Sequence, residues 1–195
     1  MRLLGLSGSL TPRSKTYIAV EQALTFAKAY DASVATDLIS LRDYKLSFCD
    51  GRDPKLYEGD TKQVIQKIEN ADALIVGTPV YRGSYTGALK NVFDLIPNGA
   101  LEGKVVGLIA TGGTYHHFLA IEHQLKPLFG FFRAHVVPGT VYAHNDHYSD
   151  KRLVDPDVIE RLRRLGEDVV RLQYAIGGGL AGAEAPPIPR KALKR

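Results

Sequence analysis

Ser7-Gly8-Ser9-Leu10-Thr11-Pro12-Arg13-Ser14-Lys15-Thr16 follows an apolar run at residues 3–6 and opens directly into an amphipathic pattern of Tyr17, Val20, Leu24 and Ala27. A short apolar run bounded by turn residues reads as a strand buried on both faces, and the three-to-four spacing after it reads as a helix. Strand, polar loop and helix make the first half of a βαβ unit, and the unit recurs. Residues 73–76, 105–110 and 136–141 are predicted strands, with a weaker one at 33–38. Leu89, Val92, Phe93 and Ile96 mark a helix that Pro97 stops, and Val158, Leu162, Leu165, Val169 and Leu172 mark a last one over 155–175. Residues 42–59 read as an irregular connection. The alternation predicts an α/β fold, a five-stranded parallel sheet between two helical layers, with strand order 2-1-3-4-5.

With 195 residues, 45% of them apolar, the chain can bury one sizeable core. One domain is expected over residues 1–176. Residues 177–195 begin with three glycines, include Pro186, Pro187 and Pro189, and are expected to form a mobile or loosely docked tail. The formal charge of +4 is misleading, because that tail carries +3 of it. The nearly neutral remainder has no basic stripe interleaved with aromatics, so nucleic acid is not an expected partner. No apolar stretch is long enough to span a membrane, and no secretory pattern opens the chain. Cys49 is the only cysteine. A soluble, cytoplasmic protein is expected.

In open parallel sheets, ligands bind beyond the carboxyl ends of the strands where the strand order reverses, which singles out the loops after strands one, three and four. In the first loop, the free amides of a helix start and the side chains of Ser9, Arg13, Ser14 and Thr16 can hold a phosphate dianion. Ser14 is also a plain helix-cap candidate. The loop lacks the spaced glycines of a dinucleotide fingerprint and the Gly-Lys-Ser end of a triphosphate loop, so a phosphomonoester fits better. The third loop runs Gly77-Thr78-Pro79-Val80-Tyr81-Arg82-Gly83-Ser84-Tyr85-Thr86-Gly87-Ala88-Leu89-Lys90-Asn91, and the fourth Ala110-Thr111-Gly112-Gly113-Thr114-Tyr115-His116-His117.

The Pro-x-Tyr turn after the third strand, the Thr-Gly-Ala-Leu-Lys-Asn segment and the Thr-Gly-Gly loop resemble the flavodoxin-like NADPH-dependent FMN reductase family. The similarity runs in order from Met1 to about Val141 and is nearest to the reductases of two-component alkanesulfonate monooxygenases. It implies FMN and NADPH, or NADH, as cofactors and hydride transfer to flavin without a catalytic side chain. It also implies delivery of reduced flavin to a partner monooxygenase. By that resemblance Ser9, Arg13, Ser14 and Thr16 hold the phosphate. Pro79, Val80, Tyr81 and Arg82 meet the ring, and Thr111, Gly112, Gly113 and Thr114 meet the pyrimidine edge with His116 beside them. Two alternatives stay open: a reductase that retains FMN and serves quinones, azo compounds or metal ions, and a flavodoxin-type electron carrier.

His116 and His117 point to different helix faces and lack a third ligand nearby, so no metal site is expected. His144, Asp146 and His147 read as a surface loop near the site or a subunit contact. Over residues 116–132, Phe118, Ile121, Leu125, Leu128, Phe129 and Phe132 share one helical face, expected to meet the sheet. Leu119, Ala120, His123 and Phe131 fall on the other, an apolar surface that suggests a homodimer or homotetramer. Pro127 offers no amide to the His123 carbonyl, so a bend or bulge is expected there. In the resembled reductases an inserted aromatic residue at this place makes a π-bulge at the subunit interface, associated with flavin release. Here it is His123.

Overall fold

Strand β1 (Arg2–Ser7) leads through the polar loop into helix α1 (Lys15–Tyr30), which starts where Ser14 Oγ accepts the Tyr17 amide at 3.0 Å. A cap of this kind satisfies one of the amides a helix start leaves unpaired and contributes about 1 kcal/mol. The computed structural model describes residues 1–12 and 14–183; Arg13 and residues 184–195 lie outside the described residues. The chain continues through β2 (Ala35–Ser40), α2 (Gly59–Asn70), β3 (Ala73–Pro79), α3 (Gly87–Leu95), β4 (Val105–Gly112) and α4 (Lys126–Phe131). It closes with β5 (His135–Val136), β6 (Val141–His144), the small hairpin β7 (Tyr148–Ser149) and β8 (Arg152–Leu153), and α5 (Pro156–Ile176). Two 3-10 turns, Leu41–Asp43 and Pro54–Leu56, punctuate the irregular connection before α2.

The sheet is parallel in the order β2-β1-β3-β4-β5. The last strand differs from its expectation. Residues 136–141 do not form one run: β5 and β6 each pair with β4, and the residues between them leave the ladder. Pro138 has no amide to donate and Gly139 sits at φ +81°, so the backbone turns out of the sheet and returns. Side chains alternate across the sheet. Leu4, Leu6, Leu74, Val76, Val106 and Leu108 pack under α2, α3 and α4. Leu3, Ile75, Val105 and Ile109 pack under α1 and α5. At about 25 cal/mol per Å² of apolar surface removed from water, these two layers dominate the stability of the fold.

The segment after β4 is not one helix. A 3-10 turn (Tyr115–Leu119) passes into a π-helical turn (Ile121–Leu125) and then α4, with the Lys126 amide bonding the Ile121 carbonyl five residues back. Pro127 is the physical reason for the bulge expected at His123, because an α-helical ladder would need the amide it lacks. Ile121, Leu125, Phe129 and Phe132 are buried toward the sheet. Phe118, expected with them, is 55% exposed, since the tighter turn before the bulge rotates it away. Leu119 and Phe131 are exposed as their spacing implied.

Helix α5 begins where Asp155 Oδ1 accepts the Val158 amide at 2.9 Å and ends at Gly177, φ +56°. Beyond it the chain lies against the start of β5: His135 Nε2 bonds the Leu180 carbonyl, and Arg133 Nη1 donates to the Ala183 carbonyl at 3.2 Å. The remainder of the expected tail, residues 184–195, is outside the described residues. Among the described residues no helix is long and apolar enough to cross a membrane.

Candidate functional site

The carboxyl ends of β1, β3 and β4 are tied into one surface. The Gly8 amide donates to the Gly77 carbonyl at 2.8 Å, and the Val80 amide to the Thr111 carbonyl at 2.8 Å. The Thr16 and Thr111 hydroxyls meet at 2.6 Å inside the fold. Thr86 adds a fourth tie: its hydroxyl donates to the Gly8 carbonyl at 2.8 Å and accepts the Leu89 amide at 3.2 Å, capping α3. These bonds fix the three loops relative to one another.

Within the first loop, Ser9 is buried and its hydroxyl accepts the Thr11 amide at 3.2 Å. Ser14 caps α1 as an acceptor, which leaves its hydroxyl proton for an anion. Thr16 is 1% exposed and spends its hydroxyl on Thr111, so the pair forms a bridge between α1 and β4 under the loops. Arg13 lies outside the described residues. After β3, Pro79 ends the strand, and Tyr81 and Ser84 exchange backbone hydrogen bonds at 2.9 and 3.1 Å. Arg82 (φ +53°) and Gly83 (φ +80°) turn the chain between them, a left-handed pair that glycine accommodates and arginine enters at a cost. The turn holds the Tyr81 ring outward, 56% exposed. After β4, a Cβ on Gly112 would lie 2.4 Å from Tyr142 Oη, and one on Gly113 2.9 Å from Asn145 Nδ2. Tyr142 donates to the Thr114 carbonyl at 2.6 Å, and Thr114 Oγ1 pairs with Nδ1 of the exposed His116 at 3.2 Å.

The polar cluster after β6 is part of the same neighbourhood. His144 is buried and stacks on Tyr115 at 4.1 Å, its Nδ1 accepting the Asp146 amide at 3.2 Å. Lys15 Nζ donates to the Asn145 carbonyl and Oδ1 at 3.2 and 2.9 Å, and Tyr148 Oη donates to the Lys15 carbonyl at 3.1 Å. Burial holds the Tyr148 hydroxyl well above its usual range, so it stays a donor. Lys15, Thr86, Tyr142 and Asn145 were not among the residues expected from sequence. Thr86 carried a local sign, a hydroxyl three residues before Leu89, whereas Tyr142 and Asn145 reach the site from distant sequence.

Two buried side-chain atoms have no hydrogen-bond partner among the described residues: Ser7 Oγ and His117 Nδ1. Each costs about 1–3 kcal/mol if left unpaired, and both lie at this end of the sheet. Ser7 shares the α1 face of β1 with Leu3 by alternation, at the end where α1 begins. A helix start, the Ser9 and Ser14 hydroxyls and an unpaired Ser7 hydroxyl fit a phosphomonoester, and the glycine loop fits the edge of a flat ring. No cluster of metal-ligating side chains occurs among the described residues. A cavity of about 680 Å³ lies between Tyr17, Arg42 and Lys151, with none of the candidate site residues in its lining.

The strand order and the helices on both faces of the sheet define a flavodoxin-like α/β fold. The family described as NADPH-dependent FMN reductase matches residues 1–148. An NAD(P)H-dependent FAD/FMN reductase of Geobacillus thermodenitrificans (strain NG80-2) is 51% identical over 92% of this chain and 97% of its own length. The NADH-dependent FMN reductase SfnF of Pseudomonas putida is 36% identical over 87% of this chain and 91% of its own. Among solved structures, the apo form of the NADH:FMN oxidoreductase EMOB superposes with a TM-score of 0.69, at 29% identity over 89% of each chain. The chain belongs to the NADPH-dependent FMN reductase family, oxidoreductases that use reduced nicotinamide and FMN.

Proposed function

We propose that FMN lies across the loops after β1, β3 and β4, takes hydride there from NADPH or NADH, and leaves as reduced flavin for a separate monooxygenase. The observation that carries this reading is the joining of the three loops by the Gly8–Gly77, Val80–Thr111 and Thr16–Thr111 bonds into one preformed surface. Ser9, Ser14, Arg13 and the start of α1 would hold the phosphate, with Thr16 fixing the loop from beneath. Pro79, Val80, Tyr81 and Arg82 would border the ring, and Thr111, Gly112, Gly113, Thr114 and His116 its pyrimidine edge. FMN supplies the redox chemistry, accepting the hydride at its ring. The chain supplies position: it orients the two reactants and needs no acid-base pair.

The name of SfnF and its 36% identity support a partner oxygenase. The π-helical turn centred on His123, with Leu119 and Phe131 exposed beside it, supports flavin release and a homodimer or homotetramer. The test is NADPH or NADH oxidation followed by absorbance in desalted protein. Colourless protein whose turnover rises and saturates with added FMN is the expected result. Protein that keeps its flavin through dialysis and turns over independently of added FMN would make FMN a resident group instead.

A further inference from the structure

His117 is the residue whose surroundings the flavin reading has not used. Its neighbour His116 is exposed and already paired with Thr114, whereas His117 is half-buried and its Nδ1 is one of the two orphaned atoms. Tyr115, His116 and Phe118 line a cavity of about 470 Å³ toward Thr140, Tyr142 and Arg161; His117 does not. Its amide donates to the Thr114 carbonyl at 3.3 Å, at the end of the loop after β4. Ile121 is buried in the same core as Val80, and Gln124 Oε1 accepts from Ser84 Oγ at 3.3 Å. Ser84 closes the turn after β3. The segment that carries His117 is therefore tied both to the loop after β4 and to the turn after β3.

We propose that His117 contacts the flavin, its Nδ1 hydrogen-bonding to the polar edge of the ring. The proposal rests on the placement of FMN given above. An imidazole nitrogen can donate, and a donor aimed at an edge that gains negative charge on reduction stabilises reduced flavin more than oxidised. His117 thereby favours hydride acceptance without exchanging a proton or forming a bond, and binding completes the hydrogen bonding of a buried atom.

The test compares wild type with His117→Ala, His117→Asn and Ser9→Ala, using fluorescence titration with FMN and riboflavin, the midpoint potential of bound FMN, and thermal melting. His117→Ala is expected to weaken FMN and riboflavin alike, by about tenfold, because the lost hydrogen bond serves the ring. It should also make the midpoint potential more negative. Asparagine, whose amide nitrogen sits near the place of Nδ1, should restore most of both. Ser9→Ala should weaken FMN far more than riboflavin. If both His117 variants bind flavin at wild-type affinity and potential while Ser9→Ala loses FMN, the site stands and His117 has no part in it. If neither position affects binding, the placement of the flavin is wrong. Should His117→Ala fail to fold, His117→Phe, which keeps a flat ring without the nitrogen, takes its place: a potential more negative than wild type is expected, and wild-type potential and affinity would overturn the proposal.

Discussion

Gly112 occupies a position where even a methyl group has no room. An added Cβ would stand 2.4 Å from Tyr142 Oη, the same hydroxyl that donates to the Thr114 carbonyl and holds the loop after β4. Gly112→Ala should cost about 1–3 kcal/mol by displacing Tyr142. In a Tyr142→Phe background the alanine should cost measurably less, because the colliding oxygen is gone. Denaturant melts of the four proteins check this, and strictly additive losses would mean that Tyr142 is not what excludes the side chain. In sequence the glycine pair stood out only through its resemblance to a flavin loop; its packing reason was not legible, because Tyr142 arrives from another strand. Thr16 shows the same limit. A hydroxyl in a polar loop suggests a phosphate contact, and only its meeting with Thr111, 95 residues later, turns it inward.

Among the elements, those whose signals are local were readable and those set by neighbours were not. The Ser14 cap and the bulge before Pro127 follow from residues within one helical turn. The division of β5 from β6 turns on Pro138 and Gly139, which an apolar run masked. Helix α5 offers a test of its electrostatics. Glu160 accepts hydrogen bonds from Arg163 and Arg164, which hold its carboxyl at about 2, below the ordinary 4.5. A lowered carboxylate contributes stability that is fully present above 4.5 and is lost as pH falls toward 2. The pair is exposed, so the effect is small. Glu160→Gln should therefore melt slightly below wild type at pH 7, with the two curves converging near pH 2. A gap that widens in acid would contradict this assignment.

Over the whole molecule, the strand order 2-1-3-4-5 reverses direction between β1 and β3, and the loops on either side of that point are the proposed flavin site. That much followed from the alternation of strands and helices alone. What the alternation could not give is the network that locks the loops together, since each of its bonds joins residues far apart in sequence. We propose this locked surface, and not the cavity beside Tyr17, Arg42 and Lys151, as the seat of FMN. A crystal structure of the chain with FMN tests it most directly. The phosphate is expected within hydrogen-bond distance of Ser9 and Ser14 at the start of α1, and the ring between the Tyr81–Ser84 turn and the Gly112–Gly113 loop. Flavin bound in the cavity beside Arg42 and Lys151, with those loops empty, would contradict it.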